Sequence, residues 1–162
     1  MTVFRGSHPD MFRDFLLASA HHLLFFGLIA MLAIESALLS RPLDGAALKR
    51  LVGVDRGYGI TAVLLLVVGL VRVFHGVKGA DFYLYNPWFH AKLGAFLLAA
   101  LLSIWPTLAF VRWRRAQATH PQRLPDTAQI ARVRTIIRVE TALIAVILVC
   151  AAAMARHGGL SP

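Results

Sequence analysis

Long apolar blocks, rather than amphipathic stripes, dominate this sequence. Four of them cover residues 15–39, 57–77, 88–111 and 134–155. A helix of about 20 residues is roughly 30 Å long, which matches the hydrocarbon core of a bilayer. Because lipid cannot satisfy backbone polar groups, spanning segments of this kind are helical. The pattern predicts an all-α integral membrane protein, in which residues 1–162 form one domain, a four-helix up-and-down bundle.

The charged residues predict how this bundle is oriented. The chain has 17 Lys and Arg against 8 Asp and Glu, and most of the basic residues follow the first and third blocks: Arg41, Lys49, Arg50, Arg56, Arg112, Arg114, Arg115, Arg123, Arg132 and Arg134. Loops rich in Lys and Arg stay in the cytoplasm. We therefore expect a multi-pass protein of the bacterial inner membrane, with both termini periplasmic. The net charge of +9 is explained by this pattern and does not indicate nucleic-acid binding.

Turn and cap residues predict the ends of several helices. In "RPLDGAALKRLVGVDRGYG", Asp44 is expected to cap a short interfacial helix with an apolar face of Ala47, Leu48 and Leu51. Gly53 is expected to end that helix. Pro87 suits the first turn of the third span.

Histidines occur in three of the four spans, and all fall in the same half of the predicted bundle. His21 and His22 lie in the first span, His75 near the end of the second, and His90 near the start of the third. Polar side chains inside a membrane are costly and often mark functional sites. We expect His22 to face the bundle interior and His21 to fill a polar gap.

The neighbours of these histidines suit a flat, anionic cofactor such as haem b. Arg72 and Lys92 lie at the same level and would pair with propionates, and Gly94 would let a ring approach the backbone. Two histidines from facing helices can ligate haem iron. The first choice is His22 with His90, and His75 is the substitute for either.

Two other functions are left open by the same residues. His22, His75 and His90 could bind copper or zinc, since imidazole suits both metals. Alternatively, small residues on the first span, such as Ala18 and Ala30, could pack against a second copy of the chain or a larger membrane complex.

Charged residues also occur inside the opposite half of the bundle. Glu35, Arg138 and Glu140 all lie within predicted spans. An ion pair between Glu35 and Arg138 is the simplest interpretation, and a proton path is the alternative.

Two segments carry a resemblance to known families. "NPWFHAKLGAFLLAALL" and "LASAHHLLFFGLIAML" resemble the third and first spans of HemJ-type protoporphyrinogen oxidases, and more broadly the CopD-type copper-resistance membrane proteins. The whole chain is similar to a bacterial inner-membrane family known as domain of unknown function 2214. The HemJ resemblance places that family's histidine at His22 and its lysine at Lys92.

The HemJ resemblance implies a membrane protein that binds haem b and oxidises protoporphyrinogen. The leading hypothesis is therefore a haem b redox protein that exchanges electrons with a quinol or a porphyrinogen. Such a substrate is expected near four aromatic residues, which lie in the loop between the second and third spans and at the start of the third span: Tyr83, Tyr85, Trp88 and Phe89.

Overall fold

A computed structural model describes residues 8–76, 79–120, 122 and 124–156 of the chain. Every regular element in these ranges is helical: α1 (His8–Leu39), α2 (Gly45–His75), α3 (Gly79–Leu84), α4 (Pro87–Thr119) and α5 (Thr127–Arg156). α1, α2, α4 and α5 are each long and apolar enough to cross a membrane. The predicted all-helical class and the four spans are therefore confirmed.

The four long helices pack in a ring. α1 lies against α2 and α5, and α4 lies against the same two helices. Thus α1 and α4 are diagonal partners, as are α2 and α5. Since consecutive spans run in opposite directions, the start of α1 and α4 and the end of α2 and α5 meet at one end, here called the histidine end. The other end, at the α1–α2 and α4–α5 connections, is called the carboxylate end.

Buried positions along each span follow a seven-residue repeat. On α1 they are Leu28, Leu32, Glu35 and Leu39, spaced four, three and four residues apart. The α2 and α5 spans repeat this spacing, with Leu48, Leu51, Asp55 and Tyr58 on α2, and Val133, Ile137, Glu140, Ile144 and Ile147 on α5. On α4, the buried residues Ala99, Pro106 and Trp113 lie seven residues apart. An apolar repeat of this period packs helices as a left-handed bundle. We call this line of inward positions the seam of each helix.

Two predicted helix starts, at Asp44 and Pro87, are confirmed by the caps that the structure shows. The Asp44 carboxylate accepts a hydrogen bond of 2.7 Å from the Ala47 amide, which caps α2. Pro87 is in the first turn of α4, and the Asn86 side chain accepts from the Trp88 amide. At the carboxylate end, Arg134 donates to the Leu39 carbonyl and so satisfies an end group of α1.

The sequence predicted a separate interfacial helix after the first span, and this prediction is wrong. α2 runs without a break from Gly45 to His75, and Gly53 lies inside it. Leu48 and Leu51 are fully buried in the protein core, so their apolar face packs on other helices and not on the membrane surface. A glycine within a helix costs only about 1 kcal/mol, which this packing offsets.

Other helices also begin earlier or end later than predicted, because they extend past the apolar blocks of the sequence. α4 continues to Thr119 and α5 begins at Thr127, seven or eight residues beyond the predicted spans. The predicted end of span two, at residue 77, lies outside the described residues. The connection between α2 and α4, here called the outer loop, contains a short helix, α3, that the sequence did not predict.

The predicted orientation can be tested with fusions at the C terminus. We expect alkaline phosphatase fused there to be active and green fluorescent protein fused there to be dark. Loops rich in Lys and Arg are retained in the cytoplasm, and the basic connections of this chain lie at the carboxylate end. The reverse pattern would place the histidine end in the cytoplasm.

Candidate functional site

His21 is the histidine that faces the interior of the bundle. It is half-buried, and its ring lies against the backbone of Gly69 on α2: a Cβ at Gly69 would be 3.3 Å from His21 Cε1. The Nδ1 atom of His21 is buried and has no hydrogen-bond partner. His21 lies seven residues before Leu28 and fourteen before Glu35, which places it on the seam of α1.

His22 is more exposed, which reverses the predicted roles of the two histidines. Its Nδ1 donates to the Ala18 carbonyl at 2.6 Å, so Nε2 is the ring atom that can accept a proton or ligate a metal. The two rings are perpendicular, with centroids 6.3 Å apart. Since adjacent residues on a helix are about 100° apart, only one of them can occupy the seam.

Both histidines line a cavity at the histidine end of the bundle, here called the histidine cavity. Its volume is about 180 Å³. All four spans contribute to its wall, which is mainly aliphatic and aromatic: Phe25, Leu65, Leu66, Gly69, Leu70, Phe89, Leu93, Phe96, Ile147, Leu148 and Ala151. Because His22, Leu70 and Leu148 are also exposed, the cavity opens toward the lipid.

Two cations lie around His21. Lys92 on α4 lines the cavity, and its Nζ atom is 5.4 Å from the centroid of the Phe89 ring. Arg72 on α2 is close enough to His21 for its charge to act on the imidazole, and its buried Nε atom has no hydrogen-bond partner. Lys92 and Arg72 both lie on the seams of their helices.

The remaining predicted residues lie outside the wall of this cavity. His75 is exposed at the last position of α2. His90 is also exposed, and its Nε2 donates to the Leu84 carbonyl at 2.8 Å. Gly94 is exposed, and no atom lies within 4 Å of a Cβ built on it. The structure therefore brings His21, His22 and Lys92 to one cavity, without His75 or His90.

The aromatic residues of the outer loop divide into two groups. Tyr83 and Phe89 are buried with Val73 in a small cluster at the histidine end, whereas Tyr85 is 76% exposed and Trp88 is also exposed. Burial raises the pKa of the Tyr83 hydroxyl, although the nearby Arg72 opposes this effect. Tyr83 therefore remains protonated at neutral pH and can serve as a hydrogen-bond donor.

A bare metal site has no support in this geometry. Among the described residues, no three His, Cys, Asp or Glu side chains lie close enough together to hold a metal ion. Structural zinc sites use four protein ligands and catalytic ones use three. The copper or zinc alternative stays a prediction that the described side chains do not favour.

The chain is a multi-pass membrane protein whose four long helices form a bundle, with a mainly apolar cavity that contains two histidines and a lysine at one end. Residues 13–159 match the model of a family described as predicted membrane proteins (DUF2214), and the chain belongs to that family. This confirms one of the resemblances found in the sequence. No curated protein and no solved structure gives a significant match to the chain.

Proposed function

We propose that this protein is a haem b-binding oxidoreductase of the bacterial inner membrane, with the haem in the histidine cavity. The observation that supports it is the meeting of imidazole from α1 and an amine from α4 in one apolar cavity enclosed by all four spans. His22 and Lys92 are also the two residues that the HemJ resemblance singles out. Four-helix bundles commonly hold cofactors between facing helices.

Two buried polar atoms, one in the cavity wall and one beside it, support this proposal. His21 Nδ1 is a buried nitrogen without a partner, as is Arg72 Nε. A buried polar atom of this kind costs about 1–3 kcal/mol, a cost that a bound ligand can remove. Imidazole would ligate the iron, and Arg72 and Lys92 would pair with the propionates. Gly69 leaves the space that the His21 ring needs against α2.

The size of the cavity sets a condition on this proposal. Ligand pockets commonly measure about 300–1,000 Å³, and the histidine cavity is about 180 Å³. A tetrapyrrole would therefore occupy the cavity together with its opening toward lipid. That opening is also the route by which an apolar electron donor, such as a quinol or a porphyrinogen, would approach.

When bound, haem supplies one-electron redox chemistry, and the protein tunes it through the ligand and the burial of the iron. The apolar wall of Phe25, Leu65 and Phe96 excludes water from the site. His22 can accept a proton at Nε2, because its Nδ1 proton is held by the Ala18 carbonyl. Oxidation of a quinol releases protons along with electrons, and His22 lies at the opening where such a donor would arrive.

The histidines in the cavity wall come from α1 alone. This arrangement supports a single histidine ligand, His21, and not the pair of His22 and His90 expected from the sequence. With His21 as its one protein ligand, a bound haem would supply oxidase chemistry rather than simple electron transfer.

The visible absorption spectrum of the detergent-purified protein tests the proposal. We expect a Soret band that shifts on reduction with dithionite and a sharp α band, from protein made in cells fed with a haem precursor. We expect His21→Ala to abolish the bands, since it removes the buried nitrogen, and His75→Ala to leave them unchanged, since His75 is outside the cavity.

Three outcomes of this experiment are informative. A colourless wild-type protein from haem-supplied cells contradicts the proposal. Loss of the bands in His90→Ala, but not in His21→Ala, would favour the ligands expected from the sequence. Stoichiometric copper in a protein without a Soret band would favour the metal-binding alternative.

A further inference from the structure

Three carboxyl groups are buried together at the carboxylate end of the bundle. Glu35 on α1, Asp55 on α2 and Glu140 on α5 are 2%, 6% and 1% exposed. Each occupies a seam position, and the preceding seam position on the same helix is apolar: Leu32 before Glu35, Leu51 before Asp55, and Ile137 before Glu140. We call them the carboxyl cluster. It lies far from the histidine cavity and is independent of any haem.

Among the described residues, no cation is one of the groups that act electrostatically on the carboxyl cluster. The groups that act electrostatically on Glu35 are Asp55 and Glu140, both acidic. The ion pair expected between Glu35 and Arg138 does not form, because Arg138 is exposed on the outside of α5 while Glu35 is buried. Arg134, which is half-buried on α5, donates to the Leu39 carbonyl.

Two of the three carboxyl groups also lack hydrogen bonds at a buried oxygen. Glu35 Oε1 and Glu140 Oε1 are inaccessible to solvent and have no partner. Asp55 is different, since Thr107 on α4 donates to its Oδ1 at 2.8 Å. An unpaired ionised carboxylate in an apolar interior is very costly, and three adjacent ones repel each other as well. The cluster therefore needs protons or a bound cation to be stable.

A proton suits this cluster better than a metal ion. Within the described part of the chain, the carboxyl groups are not close enough together for three of them to hold a metal ion. Tyr58, a seam residue of α2 that is also buried, lies within electrostatic range of all three. Its hydroxyl and that of Thr107 are the groups that can both donate and accept a hydrogen bond. Hydroxyl and carboxyl groups in series form a proton relay.

We propose that Glu35, Asp55 and Glu140, with Tyr58, form a proton-exchange site that is loaded from the carboxylate end of the bundle. A proton from water at that end adds to a carboxylate oxygen, and the same O–H bond breaks when the proton leaves. Within the part of the chain that the structure describes, these four are the buried ionisable side chains at this end of the bundle. α4 contributes Thr107, which does not titrate.

Access from the carboxylate end is short. Glu35 lies four residues before the end of α1, about 6 Å along the helix axis. Arg56 follows Asp55 directly, and Arg138 is two residues before Glu140; both arginines are exposed. Exposed arginines of this kind reach the headgroup region, so the cluster lies near the level where these helices leave the lipid.

Labelling with dicyclohexylcarbodiimide tests the proposal on the full-length protein in liposomes. This apolar reagent adds to protonated carboxyl groups in a membrane. We expect mass spectrometry of wild-type protein at neutral pH to find the adduct on Glu35 or Glu140, with labelling lost as the pH is raised. Asp44 and Asp126 serve as internal controls, since both are exposed to solvent and lie outside the apolar interior, and both should stay unlabelled.

Variants and salt separate the remaining outcomes. Glu35→Gln/Glu140→Gln should lose the labelling, and His21→Ala should keep it, because His21 lies at the other end of the bundle. An unlabelled wild-type protein overturns the proposal, and this outcome does not depend on whether any variant folds. Labelling that sodium chloride suppresses at constant pH, with potassium chloride as the control, also overturns it, since the site would then hold a sodium ion. If haem binding fails but labelling occurs, only the haem proposal is lost.

Discussion

Phe110→Ala is expected to lower the free energy of unfolding by about 3 kcal/mol, the low end of the range of about 3–5 kcal/mol for such a change in soluble proteins. Phe110 is completely buried, and its ring packs against Trp113 with centroids 5.7 Å apart. The value belongs at the low end because an unfolded span still sits in lipid, which is as apolar as the core. The loss is then mainly that of packing contacts. Reversible unfolding in mixed micelles of SDS and a mild detergent measures it.

Phe26→Ala is the matched control for this experiment. Phe26 is the same residue type in a span but is 63% exposed to the surroundings of the bundle. Its ring meets lipid in the folded and unfolded states alike, so we expect a change within about 0.5 kcal/mol. Equal effects of the two substitutions would contradict the packing described for α4.

The spans could be predicted from the sequence because a bilayer imposes a length and a composition on every helix that crosses it. The ends of those helices could not. α2 begins at Gly45, twelve residues before the predicted span, since Leu48 and Leu51 find a protein surface to pack on. That surface comes from residues distant in the chain, and an apolar block carries no information about it.

The inward face of each span was the hardest feature to predict. In a soluble bundle, polar residues mark the outside of a helix. In a membrane the outside is apolar too, so His21 and His22 looked equivalent. A signal was present in the polar residues themselves, since His21 and Glu35 on α1 are fourteen residues apart, which is two repeats of seven. Because polar residues in a membrane favour the bundle interior, His21 and Glu35 together indicate which face of α1 is the seam.

The same spacing explains which residues meet at each end of the bundle. Lys92 lies on the α4 seam between Phe89 and Phe96, and Arg72 lies three residues after Gly69 on the α2 seam. Asp55 was missed because it lies two residues before the predicted second span, where a charged residue looks like part of a loop. Among the described residues, the seams thus carry His21, Arg72 and Lys92 toward one end of the bundle and the buried carboxyl cluster toward the other.

Glu140→Leu is expected to raise the free energy of unfolding by about 1–3 kcal/mol, the cost of a buried polar group without a partner. Most buried substitutions destabilise, so the sign is diagnostic. Glu140 is flanked on the α5 seam by Ile137 and Ile144, and leucine at this position would continue the apolar repeat. Its Oε1 atom has no hydrogen bond that the change would break. The same unfolding experiment in mixed micelles measures the gain.

Ile137→Leu is the control, because it exchanges one apolar side chain for another at an equally buried seam position and should cost less than about 1.5 kcal/mol. If Glu140→Leu destabilises instead, the carboxyl group has a favourable partner, such as a bound water, and the cluster is structural. If it stabilises and also removes carbodiimide labelling, the protein retains Glu140 at a cost in stability. That combination is the mark of a group kept for function, as at other sites where activity opposes stability.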